Sequence, residues 1–128
     1  MSLFNDNRMA QHNELGVKGE TLALEHLKRK GYSILHTNWR YLKEEIDIVA
    51  MHSDMLVFVE VKTRSTDVFE DAQEAVPLSK QRSLVTAADA YIVQRDLAHE
   101  GRFDIIFIVI SGERCTIEHM EDAFNALL

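Results

Sequence analysis

Three ionisable residues interrupt the most apolar part of the chain. Asp47 lies within the segment EIDIVA, and Glu60 and Lys62 lie within VFVEVK. Both segments have the composition of β-strands, whose successive side chains point to opposite faces of a sheet. An isolated carboxylate is unfavourable in apolar surroundings, and two close carboxylates repel each other. A cation is therefore expected to compensate them.

Strand alternation predicts which neighbours share a face with these residues. Asp47 should share its face with Val49 and Met51, whereas Ile46, Ile48 and Ala50 should occupy the other face. In the second segment, Phe58, Glu60 and Lys62 should share one face, and Val57, Val59 and Val61 the other. Both faces of each strand are therefore expected to be apolar around the carboxylates.

The spacing of the three residues suits a divalent cation. Twelve residues separate Asp47 from Glu60, and one separates Glu60 from Lys62. A hairpin can bring the two carboxylates side by side, where their oxygens and the backbone carbonyl of Val61 suit Mg²⁺ or Mn²⁺. Such an ion polarises a phosphoryl oxygen and lowers the pKa of a bound water. Lys62 would orient that water or stabilise the negative charge that develops.

Glu20 is a fourth candidate and belongs to a predicted helix. It shares a helical face with the apolar residues three, four and seven positions later, so its carboxylate is aimed toward the core side. There it would complete the outer shell of the cation or hold a second water. Gly16 and Gly19, just before it, allow another backbone or a ligand to approach the helix closely.

Each candidate also has a purely structural interpretation. Glu20 would reach water at the edge of its apolar stripe, and Asp47 would occupy a turn or the end of a strand. Glu60 and Lys62 would form a same-face salt bridge on an exposed strand. The valines around Glu60 argue against exposure, and the combined spacing favours a metal site.

The first part of the secondary-structure pattern places all four candidates on regular elements. Helical periodicity predicts a first helix from about Glu14 to Lys30. Three β-rich runs follow, at residues 32–38, 45–51 and 55–62. Pro77 opens a second helix. The candidates thus lie on the first helix and on a predicted hairpin.

The second part of the pattern completes a single α/β domain spanning residues 1–128. The apolar run Ile105–Ile110 predicts a strand buried on both faces, reached from the third strand by a parallel crossover. A short strand at 115–118 follows. A final amphipathic helix is predicted to contain Ala123, Phe124, Leu127 and Leu128. The order is αβββαββα, a central mixed sheet flanked by helices.

Length and composition limit the class of protein. A chain of 128 residues, 46% hydrophobic and 27% charged, is expected to form one cytoplasmic globular domain. No stretch approaches the roughly 18 apolar residues of a membrane span. The single cysteine, Cys115, lies in a predicted strand and is expected to be a buried apolar thiol.

The distribution of charge bears on nucleic-acid binding. The net charge of −7 by itself opposes binding to phosphates. Residues 1–66 carry nine basic and nine acidic residues, whereas residues 67–128 carry five and twelve. Nucleic acid, if it binds, is therefore expected to meet the first half, near Lys28, Arg29, Lys30, Arg40, Lys43 and Arg64.

Together these motifs resemble the PD-(D/E)xK nuclease superfamily, and more closely its YraN-like family, relatives of archaeal Holliday junction resolvases. The similarity covers nearly the whole chain, through GxxGE at Gly16–Glu20, NWR at Asn38–Arg40, EIDIVA, FVEVKTR at Phe58–Arg64, Lys80, and RFD at Arg102–Asp104. It implies a restriction-endonuclease-like fold, phosphodiester hydrolysis as the ancestral reaction, and a divalent-metal site at Glu20, Asp47, Glu60 and Lys62.

The sequence departs from the resembled pattern at two positions. Ile46 stands where the superfamily motif has proline, which is normal in the YraN-like branch. Glu44 stands where close relatives usually carry glycine. Its negative charge near the metal site is expected to weaken the approach of a phosphate.

Three functions fit these observations. The first is a structure-directed endonuclease for branched or damaged DNA, whose phosphate contacts are Arg40, Arg64, Lys80 and Arg82; these basic residues equally suit an ordinary solvated surface. The second is a nucleic-acid-binding or assembly module that keeps the nuclease fold without turnover. The third is a hydrolase of another phosphate ester, because the metal site does not itself specify DNA. A junction cutter needs two sites, so a homodimer is expected by analogy.

Overall fold

The described residues form two helices and five strands. The computed structural model describes residues 3–65, 76–98 and 100–125, with side chains from residue 13 onward. Helix α1 (Leu3–Arg29) precedes strands β1 (Ser33–Tyr41), β2 (Glu44–His52) and β3 (Met55–Arg64). Helix α2 (Leu78–Gln94) leads to β4 (Gly101–Ser111) and β5 (Arg114–Phe124).

The strands form one mixed sheet in the order β1-β2-β3-β4-β5. Neighbouring strands are antiparallel except β3 and β4, which run parallel from Leu56 opposite Gly101 to Arg64 opposite Val109. Helix α2 makes the crossover between these two strands, as a parallel connection requires. The predicted crossover and the buried fourth strand are both confirmed.

One helix packs on each face of the sheet. Ala23 and Leu27 of α1 lie in a cluster with alternate residues of β2, β3 and β4. Leu84 and Tyr91 of α2 lie in a second cluster on the opposite face. The protein therefore has the predicted restriction-endonuclease-like α/β architecture. Within the described ranges, neither helix combines the length and apolar character that crossing a bilayer requires.

The end of the described chain differs from the predicted final helix. Ala123 and Phe124 continue β5, and Leu127 and Leu128 lie outside the described residues. Phe124 pairs with Phe103 of β4, and their rings stack with centroids 4.9 Å apart. Pairing with β4 thus satisfies the backbone hydrogen bonds of these residues and buries the Phe124 ring. The helical pattern had also indicated that Phe124 is buried, but in a helix rather than in a strand.

Cys115 is exposed rather than buried. It lies on β5, which is an edge strand of the sheet and whose described residues before Phe124 are all exposed or only partly buried. The prediction of a buried thiol was wrong because β propensity does not reveal whether a helix covers a given face.

The RFD motif forms a buried ion pair at the end of the sheet where β4 begins. Arg102 donates two hydrogen bonds of 2.8 Å to the fully buried carboxylate of Asp104. The same carboxylate bonds to His119 Nε2 at 2.8 Å and accepts the Asp122 N–H at 3.0 Å. These bonds hold its pKa below the ordinary value although burial raises it. Arg102 also donates to the Tyr32 hydroxyl, so the motif joins β4, β5 and the loop after α1.

Gly19 allows α1 to lie directly against β3. A Cβ atom added at Gly19 would overlap the side chain of Thr63, whereas one added at Gly16 would meet nothing within 4 Å. The predicted close approach is therefore confirmed for Gly19. It sets the depth at which the next residue, Glu20, meets the sheet.

We expect Gly19→Ala to destabilise the protein by about 1–3 kcal/mol, because β3 or α1 must shift to accept the methyl group. Gly16→Ala is the matched control on the same helix. It should be neutral or stabilising by up to about 1 kcal/mol, since alanine favours the helix. Chemical denaturation of both variants measures the effect. Equal stability of the two variants would contradict the packing described.

Candidate metal centre

The site forms where β2 diverges from β3. The ladder between these strands ends at the pair Ile48–Val59. Beyond it, the N–H of Val61 donates to the Asp47 carboxylate at 2.8 Å. A side chain has thus replaced a backbone acceptor, and the two strands can separate without leaving that donor unsatisfied.

The divergence also breaks the alternation of β2. Ile46 lies in the cluster beneath α2 together with Val49, whereas Ile48 and Ala50 lie beneath α1. Strict alternation would have placed Ile46 with Ile48. The prediction for Ile46 was wrong because the strand is irregular at Asp47, between them.

Glu60 is buried beside Asp47. Its side chain is 7% exposed, and its Oε2 atom has no hydrogen-bond partner among the described residues. Burial, the negative charge of Asp47 and a hydrogen bond with the Asp47 carboxyl raise the pKa of Glu60 to about 8. The positive charges of Lys62 and Lys80 act in the opposite direction. Burial excludes the exposed-strand interpretation of Glu60.

A cavity of about 450 Å³ opens over the divergence. Glu20 of α1, Asp47 of β2 and Lys62 of β3 line it. Burial raises the pKa of Glu20, as do the charges of Asp47 and Glu45, while a hydrogen bond with the Asn38 amide lowers it. Glu20 is partly buried and faces this cavity, so it is neither fully solvated nor part of the apolar core.

The structure thus brings the five predicted site residues to one place. Glu20, Asp47, Val61 and Lys62 line the cavity, and Glu60 adjoins it through its contact with Asp47. No finding tests their chemical roles, which stay predictions.

The four basic residues predicted to contact phosphate lie in different surroundings. Arg64 lines the cavity and donates to the Thr63 carbonyl at 3.2 Å. Arg40 and Lys80 form ion pairs with Glu45 at 3.1 Å and with Glu44 at 3.5 Å. Arg82 is exposed on α2 and does not line the cavity. The ion pair of Lys80 offsets the negative charge expected from Glu44.

Sequence reasoning assigned no role to several residues that line the same cavity: Asn13, Asn38, Glu45 and Thr63. Three of them were visible as members of motifs, Asn38 in NWR, Glu45 in EIDIVA and Thr63 in FVEVKTR. Nothing in their spacing indicated that the strands would place them at the site.

Comparison with known proteins assigns the chain to a family. The profile of the uncharacterised protein family UPF0102 matches residues 19–108, a range that contains Glu20, Asp47, Glu60 and Lys62. The chain belongs to the UPF0102 family. This confirms the resemblance to the YraN-like family seen in the motifs.

Relatives in this family match over almost their whole length. A UPF0102 protein of Flavobacterium psychrophilum is 50% identical over 116 residues, covering 91% of this chain and 98% of the relative. One of Flavobacterium johnsoniae is 48% identical over 120 residues, with the same coverage. One of Bacteroides thetaiotaomicron is 46% identical over 116 residues, covering 91% and 96%. The similarity therefore extends over the fold and is not confined to the motifs.

The donor set at Asp47 and Glu60 fits a hard divalent cation. Within the described ranges, no three or more His, Cys, Asp or Glu side chains are arranged to hold a metal ion. The available donors are two carboxylates and the main chain of Val61. The N–H and C=O of one strand residue project from the same edge, so the Val61 carbonyl also faces the gap beside Asp47. The unpartnered Oε2 of Glu60 is the polar atom that a cation would satisfy.

We expect the metal-free protein to lose stability as pH rises from about 4.5 toward 8. Folding raises the pKa of Glu60 from 4.5 to about 8, so between these values the folded state binds the proton that the unfolded state has lost. The free energy of unfolding therefore falls as pH rises through that window. Glu60→Gln removes this dependence and should become progressively more stable than the wild type up to pH 8.

Melting both proteins in EDTA from pH 5 to 9 measures the effect, with the exposed Glu118→Gln as control. Excess Mg²⁺ at pH 8 should stabilise the wild type, because the ion binds the folded state, and should stabilise Glu60→Gln much less. Parallel curves for the wild type and Glu60→Gln in EDTA would contradict the assigned pKa.

Proposed function

We propose that the protein is a metal-dependent endonuclease that hydrolyses phosphodiester bonds in branched or damaged DNA. The buried Glu60 carboxyl carries this proposal, because it lies beside a second carboxylate and keeps an unpartnered oxygen. Such an arrangement is unfavourable in a protein interior unless a proton or a cation completes it. Its place beside an open cavity supports a catalytic rather than a purely structural ion.

The roles of the chain's own groups follow from their positions. Asp47, Glu60 and the Val61 carbonyl would hold Mg²⁺ or Mn²⁺, which supplies Lewis acidity toward a phosphoryl oxygen and a water. Lys62 lies in the same cavity and carries a charge that acts on Glu60. It would orient the attacking water or stabilise the negative charge of the transition state. Glu20, on the α1 wall, would accept a hydrogen bond from that water.

The substrate class is inferred from the motifs and from the charge around the cavity. Arg64 lies in the cavity wall, where it would contact a backbone phosphate. The cavity is built from residues 13–64, the half of the chain without net negative charge. A homodimer would supply the two sites that cleavage of a branched substrate requires.

A second candidate function is a nucleic-acid-binding or assembly module without turnover. The ion pairs of Arg40 with Glu45 and of Lys80 with Glu44 favour the assembly role over nucleic-acid binding, because they occupy two basic side chains predicted to meet phosphates. The net charge of −7 acts in the same direction. Binding without cleavage in the presence of divalent ions would identify this alternative.

We expect cleavage of labelled branched DNA to require Mg²⁺ or Mn²⁺ and to disappear in Asp47→Ala and Glu60→Ala. Lys62→Ala should lower kcat by about 10²–10³-fold, the usual effect of removing one stabilising donor. A panel of junction, flap, nicked and single-stranded DNA provides the assay, with Glu118→Ala as control. Cleavage that persists in EDTA, or that Glu60→Ala leaves unchanged, would sink the metal mechanism.

We expect DNA binding to weaken steeply with salt, through a small number of phosphate contacts. Arg64→Ala should reduce the slope of log K against log salt by about 1. Lys80→Ala should reduce it less, because Lys80 already pairs with Glu44. Arg114→Ala serves as control, because Arg114 is exposed on β5 and does not line the cavity. An unchanged slope in both test variants would show that the DNA interface lies elsewhere on the protein.

A further inference from the structure

Asn38 has an unusual conformation for a strand residue. Its φ angle is 52°, in the left-handed region that L-residues rarely adopt and that asparagine tolerates better than most. The register of β1 and β2 pairs Thr37 with Ile48 and Trp39 with Ile46, which places Asn38 opposite Asp47. The irregularity in β1 therefore lies directly across from the one in β2.

The side-chain amide of Asn38 joins two acidic residues of the cavity. Its Nδ2 atom donates to Glu45 Oε1 at 3.0 Å, and the amide lines the same cavity as the Glu20 carboxylate, whose pKa it lowers. An amide NH₂ group carries two protons, so one group can serve both carboxylates. Arg40 holds the other oxygen of Glu45 at 3.1 Å. The connection thus runs from β2 through Asn38 of β1 to α1.

We infer that Asn38 is a positioning residue, whose amide holds the Glu20 carboxylate in the cavity opposite Asp47. The inference rests on the proposed function of the site. Without this donor, Glu20 would face the negative charges of Asp47 and Glu45 with no compensating group from β1. Its side chain would then rotate toward water. Aspartate at position 38 would supply no proton and would add a further negative charge.

A purely structural role for Asn38 makes a different prediction. In that case asparagine is present only because it tolerates the positive φ angle, and glycine would replace it without loss. Asn38→Gly keeps the backbone conformation and removes the amide. Asn38→Asp keeps the size and much of the tolerance for positive φ, but cannot donate when ionised. Ser53→Gly is a matched control, because Ser53 has a φ angle of 54° in the turn between β2 and β3, away from the cavity.

The experiment measures melting temperature, kcat and KM on branched DNA, and the Mg²⁺ concentration that gives half-maximal rate. Asn38→Gly should melt close to the wild type and keep its KM. Its kcat or Mg²⁺ affinity should fall by about 10–100-fold, the usual effect of losing an outer-shell hydrogen bond. Asn38→Asp should be affected at least as strongly. Ser53→Gly should match the wild type in kcat, KM and Mg²⁺ dependence.

A double-mutant cycle tests whether Asn38 acts through Glu20. In a Glu20→Gln background, Asn38→Gly should cause little further loss, because the partner charge is already absent. The positioning role would be refuted if Asn38→Gly kept the kcat and Mg²⁺ dependence of the wild type, or if the losses multiplied in the double variant. Either result would leave the proposed function standing. A wild-type protein that neither cleaves DNA nor is stabilised by Mg²⁺ would refute the proposed function, and the positioning role with it.

Discussion

The hydrogen bond from the Val61 N–H to the Asp47 carboxylate is the contact on which the site depends. An antiparallel ladder normally satisfies each inward N–H with a backbone carbonyl, and an unsatisfied buried donor is unfavourable by about 1–3 kcal/mol. A carboxylate that accepts this bond allows β2 to leave β3 after the pair Ile48–Val59. The gap so formed is the floor of the cavity, and it brings Asp47 beside Glu60.

The carboxyl groups of Asp47 and Glu60 have positively charged neighbours on one side and negatively charged neighbours on the other. On one side, Lys62 and Lys80 lower the pKa of Glu60. On the other, Glu20 and Glu45 add negative charge, which Asn38 and Arg40 offset through a hydrogen bond and an ion pair. The acidic rim therefore does not consist of unpaired charges. A phosphate approaching the cavity meets carboxylates that already have hydrogen-bond donors, and Lys62 and Arg64 lie in the same wall.

The two ends of the sheet contain different features, a buried ion pair at one end and the candidate site at the other. The end where β3 and β4 begin carries the ion pair of Arg102 and Asp104, fixed by bonds from β5 and from Tyr32. The site lies toward the end of β3, where Gly19 lets α1 approach Thr63. A buried charge pair, whose carboxylate is fully hydrogen-bonded, links β4, β5 and the loop after α1 at one end. The other end of the sheet contains the open cavity and the adjacent carboxyl groups of Asp47 and Glu60.

Local periodicity determined much of this structure from the sequence alone. The spacing of apolar residues predicted the presence and order of both described helices, the five strands and the parallel crossover, because each pattern reports which side of a single element is buried. It did not predict their lengths, since α1 begins at Leu3 rather than Glu14 and β5 extends from Arg114 to Phe124. The same argument selected Asp47, Glu60 and Lys62, since polar side chains among valines and isoleucines have no place in an ordinary core. Glu20 followed from its position on the apolar side of α1.

Other features depended on contacts between distant parts of the chain, which no local pattern contains. Pairing with β4 decided that Ala123 and Phe124 extend β5. The divergence of β2 from β3 decided the face of Ile46. Glu45 engaged Arg40, which had been expected to contact phosphate, because register across β1 and β2 places them opposite each other. The sequence could therefore name the charged groups of the site, whereas only the register and packing of the sheet could decide which of them pair with one another and which face the cavity.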